Sequence, residues 1–378
     1  MKTALVVGGT AVTGGLIVQE LEQRGFTVSL YHRGAHEVAG SDPREHIHGD
    51  PHFAESIERD LRGRRWDLVV ATYGRIRLLA EAMRGRTGRL ITVSTNSVSG
   101  SRTVEPAPGV PTGVDDPYGA PGDNRLLARV IETERAVLRL HEDRELVSTV
   151  IRYPYVYGPG GVPHGECHVI KRVLDGRRRW VMPGGGLGLS TRCAAPNAAR
   201  TIALCVDKPD VAGGQIYAAA DDRQYTFGEW TQMIAGLMGY QFEFVDVPWS
   251  LLPTVTGPQS TYGGNYGGAP QGGGPRSHVA DWNIKAKVEL GYADVVSPLE
   301  WLEPTVRYWT EHQPPIDDDE NHPRPSQFDY ALEDRILAWW DALPPAPDDL
   351  NSPGLIRSAY RHSYAHPKAG ETTASETI

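Results

Sequence analysis

The chain has 378 residues, of which 40% are hydrophobic and 8% aromatic, and its formal net charge is −9. This apolar fraction supports a globular core and excludes a wholly disordered chain. The acidic balance argues against binding to a phosphate backbone, so no nucleic-acid partner is expected. Its apolar runs are much shorter than the roughly 20 residues that a bilayer span requires, so no membrane association is expected.

The three cysteines, Cys167, Cys193 and Cys205, lie far apart and lack the C-x-x-C spacing of many zinc sites. We therefore expect neither a metal centre nor a disulfide framework. The N-terminus has no basic and apolar leader pattern, and the cysteine usage suits a reducing compartment. These features predict a cytoplasmic location.

Short β-branched runs alternate with longer helical patterns in the first part of the chain. Strands are predicted at residues 3–7, 27–31, 67–71, 89–94 and 148–152, and helices at 14–24, 78–84 and 124–140. This alternation predicts an α/β fold of the Rossmann type, a doubly wound parallel sheet with helices on both faces. Residues 1–160 would form this dinucleotide-binding domain.

Beyond Tyr155 the pattern becomes mixed and rich in glycine and proline. It predicts a smaller α+β substrate lobe over residues 161–309, interleaved with the last strands of the sheet. A glycine-rich stretch at 257–275 is interpreted as a surface loop, with a substrate lid as the alternative. The basic run at 177–179 is interpreted as a solvated turn, with an anion-binding site as the alternative.

Residues 310–378 are predicted to form a C-terminal helical extension with a disordered tail beyond about residue 365. Its helix would begin at Ser326 and carry an apolar stripe from Phe328 to Leu343. Such a stripe must be buried, either against its own chain or against a second subunit.

The segment VVGGTAVTGG, residues 6–15, follows a strand and opens a helix, the context of a dinucleotide fingerprint. Glycines there let the backbone approach a pyrophosphate at the helix N-terminus. In a G-x-x-G-x-x-G reading the middle position is alanine, which departs from glycine by one methyl. The predicted cofactor-binding residues of this loop are Gly8, Thr10, Ala11, Val12, Thr13 and Gly14.

The next strand ends in His32 and Arg33, without the acid that would hold the ribose 2′-hydroxyl of NAD. The guanidinium of Arg33 instead suits a 2′-phosphate. We therefore predict that both residues contact the cofactor and that NADP binds in preference to NAD. The alternative is that Arg33 is a solvated loop charge.

Several further segments, taken in order, resemble the extended short-chain dehydrogenase/reductase family, the NAD-dependent epimerase/dehydratase group. His48-Gly49-Asp50 resembles a Gly-Asp pair at the adenine, residues 67–74 resemble the strand and turn beneath the cofactor, and RYPYVYGPG at 152–160 resembles the loop near nicotinamide. The resemblance covers about residues 3–309. It implies further cofactor contacts from Asp50, Thr72, Tyr73, Gly74, Tyr153 and Pro154.

The same resemblance places Thr95 and Tyr118 at the positions of the family's catalytic Ser/Thr and Tyr. The family also has a lysine four residues after the tyrosine, but here that position is Gly122, preceded by Pro121. This pair predicts a helix that begins only at residue 123 or 124, which leaves Tyr118 on a loop. Without a nearby cation its phenol keeps a pKa near 10 and is a poor base.

Three other side chains, His164, His168 and Arg125, are candidates for the missing roles. An imidazole ionises near neutral pH, so His164 and His168 are alternative proton donors, with His164 the first choice. Thr95 has the alternative role of capping the end of its strand, and Arg125 is an alternative contact for the ribose.

The sequence thus predicts an NADP-dependent oxidoreductase, a ketone or aldehyde reductase or an alcohol dehydrogenase, acting on a small organic substrate. The alternatives are a redox-neutral epimerase, dehydratase or lyase that retains its NAD(P), and a non-catalytic NADP-binding protein. The family commonly pairs subunits through helices, and this implies a homodimer through the helix at 124–140.

Overall fold

The computed structural model describes residues 2–9, 12–34, 43–98, 114, 118, 124–161, 165–248, 251–252, 278–279, 282–313 and 330–344. The strands in these ranges are β1 Lys2–Val7, β2 Phe26–His32, β3 Glu45–His48, β4 Leu68–Ala71, β5 Arg89–Thr95, β6 Val147–Tyr153, β7 Tyr155–Tyr157, β8 Arg179–Val181, β9 Leu189–Ser190, β10 Arg192–Ala194, β11 Ile216–Ala218, β12 Tyr225–Thr226, β13 Glu243–Val245 and β14 His278–Val279. The α-helices are α1 Gly14–Gln23, α2 Ala54–Leu61, α3 Ile76–Ala82, α4 Arg125–Glu142, α5 Gly165–Leu174, α6 Ala195–Asp207, α7 Pro209–Ala212, α8 Phe227–Leu237, α9 Pro298–Glu311 and α10 Tyr330–Asp341.

Seven strands form one parallel sheet in the order β11-β6-β5-β4-β1-β2-β3. The order reverses direction beside β1, as in doubly wound dinucleotide-binding folds. The predicted α/β class and parallel sheet are confirmed. The strand β11 joins this sheet from the later part of the chain, as the expected interleaving requires.

The central strand β1 is buried on both faces, which explains its unbroken apolar sequence. Ala4 and Val6 belong to a core with α1 and α6, whereas Leu5 and Val7 belong to a core with α2, α3 and α4. Helices therefore cover both faces of the sheet, and the carboxyl ends of its strands form the edge where ligands bind in such folds.

The second lobe has its own core and three small sheets. Parallel pairs join β7 to β10 and β8 to β13, while β9 pairs with β12 and β14. Aromatic side chains dominate the core, among them Trp180, Trp230 and Trp309. The domain division at residues 160 and 309 remains a prediction. Among the described residues no helix is both long and apolar enough to cross a membrane.

The extension helix α10 packs on β8 of its own chain through Ile336 and Leu337. This confirms burial of the apolar stripe against the same chain, for the part of the helix from residue 330 onward. The interpretation of 177–179 as a solvated turn is wrong for two of its arginines. Arg177 pairs with Asp334 and Arg179 pairs with Asp341, because the basic turn faces the acidic side of α10.

Candidate dinucleotide and substrate site

The phosphate loop begins at Gly8, directly after β1, and any other residue at this position would strain the backbone. Gly8 has a φ of +89°, and a Cβ there would lie 2.7 Å from both Thr72 Oγ1 and Tyr73 Cβ. Its amide donates to the carbonyl of Tyr31 on β2, at 3.1 Å. The turn therefore passes between β2 and the end of β4, at the carboxyl edge of the sheet.

The start of α1 touches the loop backbone directly. A Cβ on Gly14 would lie 2.4 Å from the carbonyl carbon of Gly9 and 2.5 Å from its oxygen. The glycine at this position is thus required by the chain's own packing, in addition to any approach of a pyrophosphate. Thr10 and Ala11, between these glycines, lie outside the described residues.

The N-terminus of α1 is suited to an anion. Thr13 is its N-cap residue, but the threonine side chain makes no capping hydrogen bond, and the first turn contains no acidic residue. Backbone N–H groups at a helix start and the helix dipole together favour a phosphate. The crowded glycine turn followed by this helix start therefore fits the pyrophosphate of a dinucleotide.

The predicted nicotinamide side meets the phosphate loop. A Cβ on Gly158 would lie 2.8 Å from Val12 Cγ2, so the loop after β7 packs on the phosphate loop. Tyr153, which ends β6 and precedes Pro154, has a buried hydroxyl beside Thr13, and burial raises its pKa. The structure thus brings Val12, Thr13 and Tyr153 together.

The predicted adenosine side forms a second cluster. The Arg33 guanidinium lies 5.4 Å from the ring centre of Tyr73, and the His52 ring meets that tyrosine edge-on at 4.8 Å. Asp50 accepts hydrogen bonds from the backbone N–H of His52 at 2.9 Å and from its ring at 2.8 Å. These two bonds, the backbone one first, lower the pKa of Asp50. The contacts of His52 with Asp50 and Tyr73 were not predicted from the sequence.

The turn after β4 is held by its own backbone and side chains. Thr72 Oγ1 donates to the carbonyl of Val7 at 3.0 Å and so ties β4 to β1. Gly74 has a φ of +96°, and a Cβ there would lie 2.6 Å from Pro51. Both residues therefore shape the edge on which the adenosine would lie.

The Thr95 hydroxyl is engaged within its own turn. It donates to Ser97 Oγ at 3.1 Å and accepts from the Ser97 amide at 3.2 Å. These bonds close the 3₁₀ turn Asn96–Val98. The structure thus shows the capping role that was the alternative for Thr95, and its catalytic role remains a prediction.

Tyr118 lies before the first helical residue of α4, as the Pro-Gly pair predicts. The helix α4 begins at Arg125, and its N-cap Asn124 accepts from the amides of Leu126 and Leu127, both at 3.1 Å. Arg125 is exposed on the first turn. His164 lies outside the described residues, and His168 is half-buried on α5.

The Tyr118 ring lies between two guanidinium groups, 5.1 Å from Arg135 and 5.2 Å from Arg152. Arg152 is itself buried in an ion pair with Glu134, at 2.8 Å. Burial first, and then the negative charge of Glu134, raise the pKa of Tyr118 to about 12. Arg152 lowers the pKa of Tyr118, but burial and Glu134 outweigh this effect, so the phenol is less acidic than in water.

Behind the nicotinamide-side loop lies a buried polar network that sequence reasoning missed. Glu166 on α5 accepts from the hydroxyl of Tyr155 and, at 3.1 Å, from Nε1 of Trp230. The buried Arg192 lies over the Trp230 ring at 4.8 Å, and burial lowers its pKa to about 10. Because these residues come from β7, α5, α8 and β10, no local spacing indicates the network.

No family model and no curated protein matches the sequence. Solved structures do match the fold. A UDP-glucose 4-epimerase from Thermotoga maritima, solved with UDP-glucose, is 19% identical with a TM-score of 0.63, covering 82% of this chain and 99% of its own. A dTDP-glucose 4,6-dehydratase from Streptomyces venezuelae, solved with NAD, is 20% identical with a TM-score of 0.61 and coverages of 82% and 97%.

A UDP-glucose 4-epimerase from Thermus thermophilus, solved with NAD, is likewise 20% identical with a TM-score of 0.61, covering 81% of this chain and 98% of its own. These structures belong to the kind of enzyme that the sequence resembles. At these identities the likeness shows the fold: the protein has the Rossmann-type architecture of nicotinamide-dependent epimerases and dehydratases.

Proposed function

We propose that the protein is a nicotinamide-dependent enzyme that changes a small organic substrate without net oxidation or reduction, as an epimerase, dehydratase or lyase. The observation that carries the proposal is the fold, which matches epimerases and dehydratases over 97–99% of their length. We therefore place the redox-neutral reaction ahead of the reductase that the sequence predicts first. A sugar nucleotide is the substrate class we would test first, because the neighbours are solved as enzymes of UDP- and dTDP-glucose.

The described residues fit such a cofactor. Gly8, Val12, Thr13 and Gly14 would hold its pyrophosphate, with the helix start supplying N–H donors. When bound, the nicotinamide ring supplies an acceptor and donor of hydride. The nearby Tyr153 and Pro154 would form a wall beside that ring.

We propose that NADP binds in preference to NAD. Arg33 is exposed at the end of β2, against the face of Tyr73, and its guanidinium offers several donors to a 2′-phosphate. The lack of an acid at residues 32–34 points the same way.

A second candidate is a dinucleotide-binding protein without turnover. The observation that favours it is the environment of Tyr118, whose pKa of about 12 makes proton exchange at neutral pH slow. In the enzyme that we propose, another group moves the proton. His168, half-buried on α5, is the candidate among the described residues.

The test is incubation of the full-length protein with UDP-glucose, dTDP-glucose and their 4-epimers, with and without NADP. Products are followed by chromatography and reduced nicotinamide by absorbance. The proposal predicts product without accumulation of reduced cofactor. Reduced cofactor formed in step with product would instead establish an oxidoreductase, and cofactor binding without turnover across a wide substrate panel would establish the second candidate.

Two variants assign the proton donor. A positioned acid contributes about 10²–10⁴ in rate, so His168→Asn should lose this factor if His168 moves the proton. Tyr118→Phe should lose less than about tenfold, since its raised pKa already limits exchange. The opposite ranking would return Tyr118 to the family role. We also propose a homodimer through α4, to be checked by the mass measured by light scattering.

A further inference from the structure

Three histidines meet on one face of the sheet, at the edge formed by β2 and β3. His32 ends β2 and pairs in register with His48, while His46 pairs with Leu30 two residues earlier. Residues two apart on a strand point to the same face, so His46 and His48 share a face with His32. The centre of the His32 ring lies 5.0 Å from the centre of the His46 ring and 5.3 Å from that of the His48 ring.

The nitrogen atoms of these rings converge. His32 Nε2 lies 2.9 Å from His46 Nδ1, and one ring nitrogen from each of the three histidines lies within 4.8 Å of the others. Imidazole binds zinc at about 2.0–2.1 Å, which sets ligand nitrogens about 3.3 Å apart in a tetrahedral site. A small rotation of the side chains therefore brings all three nitrogens to ligand positions.

We propose that His32, His46 and His48 bind a divalent transition metal of the zinc class. An all-imidazole set suits Zn²⁺, Co²⁺, Ni²⁺ and Cu²⁺ and does not suit Mg²⁺ or Ca²⁺, which prefer oxygen ligands. His32 is 4% exposed, whereas His48 is exposed, so the ring at the surface gives the metal access to the buried one. Three protein ligands leave a fourth position for water or another ligand.

Metal loading requires one change of tautomer. His32 Nδ1 accepts from the Gly34 amide at 3.0 Å, so the proton of the neutral ring lies on Nε2, toward His46. On loading, Nε2 gives up its proton to solvent and donates its lone pair to the metal, while Nδ1 takes a proton from solvent. The ring stays neutral overall, and the Gly34 amide must turn away from Nδ1. The two hydrogen bonds that are lost, from the Gly34 amide to His32 and from His32 to His46, are a small loss beside three metal–nitrogen bonds.

The sequence predicted no metal because that expectation rested on cysteine spacing. The relevant pattern is H-x-H on a strand, with the third histidine fourteen residues before His46. Only the pairing of β2 with β3 brings His32 to the other two. His32 directly precedes Arg33 at the proposed cofactor edge, but metal binding is measured without cofactor or turnover, so its test does not depend on the proposed reaction.

The experiment uses the untagged full-length protein, dialysed free of metal and titrated with Co²⁺ and Zn²⁺. We expect one equivalent of metal per chain, with the visible absorption of tetrahedral Co²⁺. Removing a bound imidazole should exceed the 10–100-fold loss seen for outer partners of metal ligands, so His46→Asn and His48→Asn should weaken binding by at least about 100-fold.

The matched control is His312→Asn, which removes an exposed histidine at the end of α9 and should keep one equivalent. His52→Asn tests whether the neighbouring His52 and Asp50 hold the metal instead. His48 is exposed on the outermost strand of the sheet, so its variant should melt like the wild type. Absence of stoichiometric binding, or binding that survives both His46→Asn and His48→Asn, would overturn the proposal.

Discussion

The two adjacent glycines at the start of α1 allow a direct test of the phosphate-loop geometry. In Gly14→Ala the new methyl would lie 2.4–2.6 Å from three backbone atoms of Gly9, whereas a Cβ on Gly15 meets nothing within 4 Å. Ordinary contacts begin at about 3.4 Å, so Gly9 or α1 must move by about 1 Å. Gly15→Ala is therefore a matched control that adds the same methyl one residue later.

Overpacking at this point costs about 1–3 kcal/mol, offset by up to about 1 kcal/mol from the better helix propensity of alanine. Gly15→Ala keeps the gain without the cost. We therefore expect Gly14→Ala to be less stable than Gly15→Ala by about 1–3 kcal/mol in urea unfolding. Because the loop backbone is displaced, Gly14→Ala should also bind NADPH at least about tenfold more weakly in calorimetric titration.

Equal stability and equal NADPH affinity for the two variants would refute this reasoning. Loss of binding in Gly15→Ala alone would refute it as well. That result would mean that the methyl of Gly15→Ala weakens binding by contacting NADPH itself. The contact between the Gly14→Ala methyl and the Gly9 backbone would then have no effect on binding.

Three further predictions concern ion pairs, pH and cofactor choice. Glu333→Gln should cost about 3–5 kcal/mol in urea unfolding, because it leaves Arg172 buried without its anion, whereas Asp334→Asn on the exposed side of α10 should cost less than about 1 kcal/mol. Burial raises the pKa of Asp221 from 3.8 to about 6, so its folded state is favoured by protonation. Relative to Asp221→Asn, the wild type should therefore lose about 3 kcal/mol of unfolding free energy as the pH rises from below 4 to above 6, and a constant difference would contradict the assignment. Arg33→Ala should weaken NADPH binding by about 1–3 kcal/mol and leave NADH binding unchanged in calorimetry, so an unchanged NADPH/NADH ratio would contradict the proposed NADP preference.

Much of the sheet and of the cofactor edge was predictable because the signals are local. The run Ala4–Val7 is buried on both faces, and a strand of that kind is continuously apolar. The start of α4 was also predictable, since Pro121 and Gly122 disfavour a helix and Asn124 is a strong N-cap. Each of these inferences needs only a few adjacent residues.

The remaining contacts join residues that are distant in the sequence. Thr95 bonds to its near neighbour Ser97, and this was open to prediction as one of two alternatives. In contrast, Tyr157 donates to Asp221 across 64 positions. This hydrogen bond depends on how β7 and the segment after β11 meet, which no periodicity in the sequence reports. The same reason hid the histidine cluster and the Glu166 network.

The C-terminal extension is joined to the substrate lobe by a buried ion pair, and this ion pair stabilises the lobe. Glu333 on α10 is fully buried, pairs with Arg172 at 2.8 Å and accepts from the amide of Val181 at 3.3 Å. The Arg172 guanidinium in turn lies 4.3 Å from the ring centre of Trp180, inside the lobe's aromatic core. Detaching α10 would remove the anion from a buried cation, which is costly in a medium of low polarity. The extension therefore packs as part of the folded lobe, and Arg172, Arg177 and Arg179 are held by acidic residues of α10.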